Sequence, residues 1–143
     1  MPSRRAEAEW HGNLRAGGGR IKVGSGAFGV PYSFDDRFAN AMGTNPEELI
    51  GAAHAGCFTM ALAADLTLAG HPPDSLKTTA MVTIDKVGDG FAITKIELAT
   101  EGKVPGVDDA EFKTRAETSK NNCPVSKALT GTTITLTAKL TTG

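Results

Sequence analysis

The stretch from Asn45 to about Ala69 constrains this chain more than any other part of it. It reads as one helix. Asn45 is placed to cap it, Pro46 suits the first helical position, and Glu48 completes a capping-box-like pair. Gly70 and His71-Pro72-Pro73 end it. At 1.5 Å per residue the helix is roughly 36 Å long, more than the width of a small domain. From Leu49 to Leu68 it is apolar almost all round, so it should be buried rather than half exposed. A chain of 143 residues suits one domain and not two. So long a buried helix in so short a chain calls for a second subunit to help cover it. A membrane span is the rival reading. Asp65 and His54 lie within the run, and much of its bulk is Ala and Gly, so no membrane partner is expected.

Short strands surround this helix. Ala6, Ala8 and Trp10 alternate with Arg5, Glu7 and Glu9, a period of two that predicts a strand. Gly17-Gly18-Gly19 turns the chain into a second strand over Arg20 to Val23. A weaker third runs from Phe28 to Phe34, limited by Pro31. Residues 78–87 and Phe91 to Thr100 form two more, joined by a hairpin turn at Gly88-Asp89-Gly90. Thr133 to Thr141 puts Ile134, Leu136, Ala138 and Leu140 on one face and threonines with Lys139 on the other, as expected of a half-buried antiparallel sheet. A helix is predicted from Asp109 to about Lys120, with Asp108, Asp109 and Glu111 near its positive end. A short third helix begins at Cys123-Pro124 and runs through Ser126 and Leu129.

Charge narrows the function classes. Lys+Arg is 15 and Asp+Glu is 16, for a formal charge of -1, so no basic surface for nucleic acid or acidic lipid is expected. The N-terminal segment has basic residues but no apolar run of the signal-peptide kind, and a cytoplasmic, reducing setting follows as the expectation. The two cysteines, Cys57 and Cys123, form no CxxC, which leaves neither a zinc ribbon nor a thioredoxin motif.

Four residues then stand out, each with a plainer reading beside it. Cys57 lies mid-helix among Ala53, His54, Met60 and Ala61, where a free cysteine packs as a small hydrophobe with a raised pKa. Reactivity there requires a cationic partner brought in by the fold. Cys123 precedes Pro124 at a helix start, where backbone N–H groups favour an anion, though it also suits a cap or a core position. Arg37 follows Asp35-Asp36, so a surface ion pair would account for it. Glu47 opens the long helix, where dipole support would account for it. His54 and Cys57 share a helix face, yet a metal site needs three or four ligands and only Cys123 is an obvious third, so no metal is expected.

Their joint appearance resembles a known family. RF-x4-GTNPEELIGAAHAGCF, from Arg37 to Phe58, is similar to the signature of the OsmC/Ohr family, the osmotically inducible protein C and organic hydroperoxide resistance proteins. The resemblance continues through DKVGDGFAITKIEL, VPGVDDAEF and NCPVS around Cys123, and covers nearly the whole chain in the same order. It implies a single OsmC-like domain over residues 1–143, of α+β class, in an intertwined homodimer with antiparallel sheets packed around long central helices. It implies a thiol-dependent peroxidase for organic hydroperoxides, and less efficiently hydrogen peroxide, in oxidative and osmotic stress defence. Carried over, Cys57 is the peroxidatic cysteine, Cys123 the resolving one, Arg37 the guanidinium supporting the thiolate, and Glu47 the carboxylate holding that arginine. The position of Arg37 in the loop before the helix favours the OsmC branch; Arg20 lies in the earlier strand region from which the Ohr branch draws its arginine.

The expected chemistry follows. The Cys57 thiolate attacks the distal peroxide oxygen, an alcohol leaves, and Cys123 condenses with the sulfenic acid to a Cys57–Cys123 disulfide. No cofactor is expected; the resemblance implies an external dithiol, such as a dihydrolipoyl protein carries, as reductant. Phe58 and Met60 are candidates to line a pocket for the hydrocarbon tail. Glu47 and Cys57 would lie about 15 Å apart on one helix, which predicts active sites shared between the subunits of a homodimer. A thiol redox sensor or a ligand-binding module without turnover is the alternative function.

Overall fold

The computed structural model describes residues 2–39 and 43–141, so Asn40–Met42 of the family-like motif lie outside the described residues. The chain divides into two compact units, residues 1–49 and 50–143.

The first unit is a three-stranded antiparallel sheet in the order β1–β2–β3: β1 is Ala6–His11, β2 is Gly18–Val23 and β3 is Gly29–Tyr32. Gly19 allows the strands to close, because a Cβ there would stand 2.6 Å from the Tyr32 ring and 2.7 Å from the Trp10 ring. Those two rings meet edge to face, centroids 5.4 Å apart. A short helix follows, α1 at Phe34–Phe38, where the sequence suggested only strand and loop. Its signal is local: Ser33 accepts from the Asp36 N–H at 3.2 Å, with Asp35 and Asp36 in the first turn. The unit ends with the start of α2, the helix Pro46–Leu68. Asn45 caps it as expected, its side-chain oxygen accepting from the Glu48 N–H at 2.8 Å. The Glu48 carboxylate does not close a capping box; it accepts from the Thr44 hydroxyl at 3.0 Å.

The second unit holds the rest of α2, then β4 (Ser75–Val87), β5 (Gly90–Lys103), α3 (Asp109–Asn122), α4 (Pro124–Ala128) and β6 (Thr133–Leu140). The sheet order is β4–β5–β6. The β4–β5 hairpin turns at Gly88-Asp89, with Gly88 at φ 61°, a conformation glycine adopts freely. β6 departs from expectation: it runs parallel to β5, in register from Lys95↔Thr133 to Gly102↔Leu140. Alternation along a strand reports which face is buried, not direction. The connection through α3 and α4 returns the chain to the end where β5 began, and parallel neighbours need such a crossover.

The core is one cluster. Phe58, Leu62 and Leu66 of α2 pack with Ile96 and Leu98 of β5, and with Phe112 and Ala116 of α3. Thr100 is buried in this face too; its hydroxyl meets that of Thr78 at 3.0 Å, and Thr59 donates to Thr78 at 2.7 Å. The expectation that α2 is buried all round fails for the single chain. Gly51, His54, Phe58, Leu62 and Leu66 form one buried stripe, while Ala52, Ala53, Gly56, Met60 and Leu68 are exposed. By length and composition α2 could cross a membrane, but its Phe58, Leu62 and Leu66 are spent on this core.

Gly102 of β5 lies under the Phe112 ring, where an added Cβ would stand 2.5 Å from the ring and 2.9 Å from Leu76. Neither group has room to give. Gly102→Ala is therefore expected to destabilise the protein by about 1–3 kcal/mol. Equilibrium urea unfolding checks this, and an unchanged midpoint would contradict the packing described.

Candidate active site

Cys57 and Cys123 are free thiols drawn together in the second unit although 66 positions separate them. Cys57 projects from the middle of α2 and is half buried; Cys123 is fully buried at the N-cap of α4. Helix α3 ends on the same residue, where the Cys123 N–H bonds the Ser119 carbonyl at 2.9 Å, so Cys123 is fixed from both sides.

The two thiols interact directly and have opposite tendencies. Burial pushes the Cys57 thiol up, the Cys123 thiol beside it pushes further, and the Val125 N–H opposes them. Burial also disfavours a Cys123 thiolate, but the Cys57 thiol, both the backbone and hydroxyl of Ser126, and the Val125 N–H outweigh it, so Cys123 is held below its ordinary range. Cys123 makes no regular side-chain capping bond to α4. The Ser126 and Val125 groups act on its sulfur as hydrogen-bond donors at the helix start. Among the groups acting on Cys57 only the Val125 N–H favours the thiolate, and it does not offset burial and the second thiol.

Arg37 and Glu47 meet in the first unit. Arg37 Nε and Nη2 both donate to Glu47 Oε1, at 3.0 and 2.8 Å. Glu47 is 5% exposed, whereas the Arg37 side chain keeps 39% of its surface. Glu47 Oε2 is buried with no hydrogen-bond partner among the described residues. The surface ion pair that Asp35-Asp36 suggested for Arg37 is replaced by this part-buried one with Glu47. Arg37 also borders a cleft of about 450 Å³ lined by Trp10, Leu14, Tyr32, Phe34 and Phe38. Arg20 goes elsewhere: its Nη2 donates to the Gly29 carbonyl at 2.9 Å.

Phe58 and Met60 do not form the expected pocket. Phe58 is wholly core and Met60 is 76% exposed on α2. The apolar cleft belongs to the first unit, and its aromatic residues lie far from the cysteines in sequence, so nothing local announced it. Two further polar residues join the thiol pair. His54 Nε2 and Ser126 Oγ lie 2.7 Å apart, both buried. Burial holds His54 below its ordinary pKa, so it is neutral at pH 7. The spacing of Cys123 and Ser126, N-cap and third helical position, was the one sequence signal for this contact. Among the described residues no group of three His, Cys, Asp or Glu is placed to hold a metal ion.

Residues 39–139 match the family model described as OsmC-like protein. The chain is 49% identical over 127 residues to the peroxiredoxin OsmC of Escherichia coli (strain K12), covering 88% of this chain and 89% of that one. It is 37% identical over 99 residues to the organic hydroperoxide resistance protein of Xanthomonas axonopodis pv. citri, covering 65% of this chain and 64% of that one. The crystal structure of the organic hydroperoxide resistance protein OhrB of Bacillus subtilis superposes with a TM-score of 0.71 at 25% identity, over 96% of this chain and 98% of that one.

Proposed function

The chain belongs to the OsmC-like protein family, and from that premise we propose that it is a cysteine-based peroxidase that reduces organic hydroperoxides to alcohols. The observation that carries this reading is the pair of free thiols facing one another across α2 and α4. In the proposed cycle the Cys57 thiolate attacks the distal peroxide oxygen. The O–O bond breaks, the alkoxide leaves and takes a proton, and Cys57 is left as a sulfenic acid. Cys123 then attacks the Cys57 sulfur, expelling water and closing the disulfide. A dithiol, of the kind a dihydrolipoyl protein carries, reduces that disulfide by exchange in the cytoplasm.

Arg37 has the complementary task. Only the thiolate is nucleophilic, and Cys57 on its own is held in the thiol form. A guanidinium beside the sulfur favours the charged form, and each unit of lowering corresponds to about 1.36 kcal/mol. Glu47 holds the guanidinium in place. The aromatic cleft beside Arg37 suits an alkyl tail, and hydrogen peroxide, which has none, would be the poorer substrate.

The sites are proposed to be shared within a homodimer. The exposed apolar side of α2, with Met60 and Leu68, is the surface a second copy would cover. The unsatisfied Glu47 Oε2 fits a site completed by another chain.

The test is consumption of tert-butyl hydroperoxide with dihydrolipoamide as reductant, followed by peptide mapping after one equivalent of peroxide. Sustained turnover and a Cys57–Cys123 linkage within one chain are expected. A single oxidation without turnover would favour a redox sensor, and no oxidation at all would favour a binding module.

A further inference from the structure

His54 and Ser126 are a buried polar pair that the peroxide step leaves unused. Ser126 stands at the third position of α4, three residues on from the N-cap residue Cys123, and its hydroxyl is among the groups acting on the Cys123 sulfur. His54 stands one helical turn before Cys57 on α2 and meets Ser126 Oγ at 2.7 Å. The chain His54–Ser126–Cys123–Cys57 therefore runs from one thiol back to the helix that carries the other.

Burial of the unpartnered Nδ1 favours one polarity for this chain. His54 is wholly buried and its Nδ1 has no partner among the described residues. With the proton on Nε2, the ring donates to Ser126 Oγ and Nδ1 is a bare acceptor. The Ser126 hydroxyl then has its own proton to offer the Cys123 sulfur. With the proton on Nδ1, an N–H would be stranded in the core, which is the rarer arrangement. The Ser126 proton would also be spent on the ring.

We propose that Ser126 is a further catalytic residue, donating its hydroxyl hydrogen bond to the Cys123 sulfur as that sulfur attacks oxidised Cys57, and that His54 is its positioning residue. In this step the Cys123 thiolate attacks the Cys57 sulfenic sulfur. The S–S bond forms, the S–O bond breaks, and the departing hydroxide takes up the proton that Cys123 released, leaving as water. Ser126 and His54 keep their own protons throughout. The groups acting on the Cys123 sulfur are Cys57 from α2 and Val125 and Ser126 from α4. No carboxylate, ammonium or guanidinium is among them, and the Ser126 hydroxyl acts there beside the Cys57 thiol and the Ser126 backbone N–H.

The proposal rests on the peroxidase reading for the purpose of the step, but its test does not need turnover. Cys57→Ser leaves Cys123 as the sole cysteine, so thiolate ultraviolet absorbance titrates that residue alone. Adding Ser126→Ala to this background should raise the titration midpoint by about one unit, the size of one hydrogen bond to a charged group. Ser126→Thr, which keeps the hydroxyl, should restore it. His54→Leu should raise it in the same sense and His54→Gln, which keeps a donor, should restore it. With Cys57 present, Ser126→Ala should slow closure of the disulfide about threefold after peroxide has reacted, because the roughly tenfold loss of thiolate that one unit implies is partly offset by the greater nucleophilicity of the less stabilised thiolate. The rate of sulfenic acid formation, read by dimedone capture, should not change. Should Ser126→Ala fail to fold, the His54 pair carries the same expectation. An unchanged midpoint, or an equal rise with Ser126→Thr, would overturn the proposal. A shifted midpoint in a protein that consumes no peroxide would leave this pair standing and remove the peroxidase reading instead.

Discussion

Cys57→Ser is expected to remain folded and to lose dithiol-dependent peroxidase turnover by a factor on the order of a thousand or more, the scale on which removal of an enzyme nucleophile acts. The oxygen of serine is a far weaker nucleophile at neutral pH than a thiolate, and the groups acting at this position include no base or cation. The fold has little reason to change. Cys57 is only half buried, and the swap is nearly isosteric, so stability should stay within about 1.5 kcal/mol of the parent. Circular dichroism and a urea titration establish the fold, and dihydrolipoamide oxidation in the presence of tert-butyl hydroperoxide measures turnover. Turnover near the parent rate would show that Cys57 is not the nucleophile. In that event Cys123, the thiol held lower by its surroundings, becomes the candidate for first attack.

Mixing two inactive variants is expected to restore about a quarter of parental activity by the subunit arithmetic of a two-fold dimer. One variant is Arg37→Ala/Glu47→Ala, the other Cys57→Ser. The reasoning begins with α2, an uninterrupted helix that carries both Glu47 and Cys57. Ten residues set them about 15 Å apart along its axis and about 80° apart around it. Arg37 commits two nitrogens to Glu47 Oε1, and its side chain does not readily bridge a gap of that size on one helix. Two copies of α2 packed antiparallel across a two-fold axis would bring Glu47 of one protomer towards Cys57 of its partner. In a mixed dimer one site then collects every defect and the other collects none. Half of a statistical mixture is mixed dimer, and half of its sites are intact. Confirmed mixed dimers without activity, or a fully active monomer, would end the shared-site proposal.

Much of this protein was legible because its signals are local. Asn45, Pro46 and Gly70 bound α2 within a few residues of where they were read, since a cap acts on N–H groups three positions away. The β4–β5 hairpin followed from Gly88 and the alternation on either side of it. The family motif is likewise a matter of order and spacing along the chain, and it nominated both residue pairs that the structure joins, Cys57 with Cys123 and Arg37 with Glu47. Helix α1 was missed although its cap is local too, because the aromatic residues around Pro31 have the composition of a strand.

The sequence by itself determined, to within a few residues, where α2, α3 and α4 start and stop, which strand faces are apolar, and which residue types are available for thiol chemistry. The tertiary structure decided the rest. It set β6 parallel to β5, because direction depends on how α3 and α4 return the chain and not on alternation. It sent Phe58 into the core and left Met60 outside, although both sit in the same apolar run. It also gave two chemically identical thiols opposite tendencies. Cys57 meets burial and another thiol, while Cys123 meets the hydroxyl and backbone N–H groups at the start of α4. A cysteine's pKa is the sum of what surrounds its sulfur: Cys123 draws on residues two and three positions on, but Cys57 meets Cys123 and Val125, distant along the chain and adjacent only once it has folded.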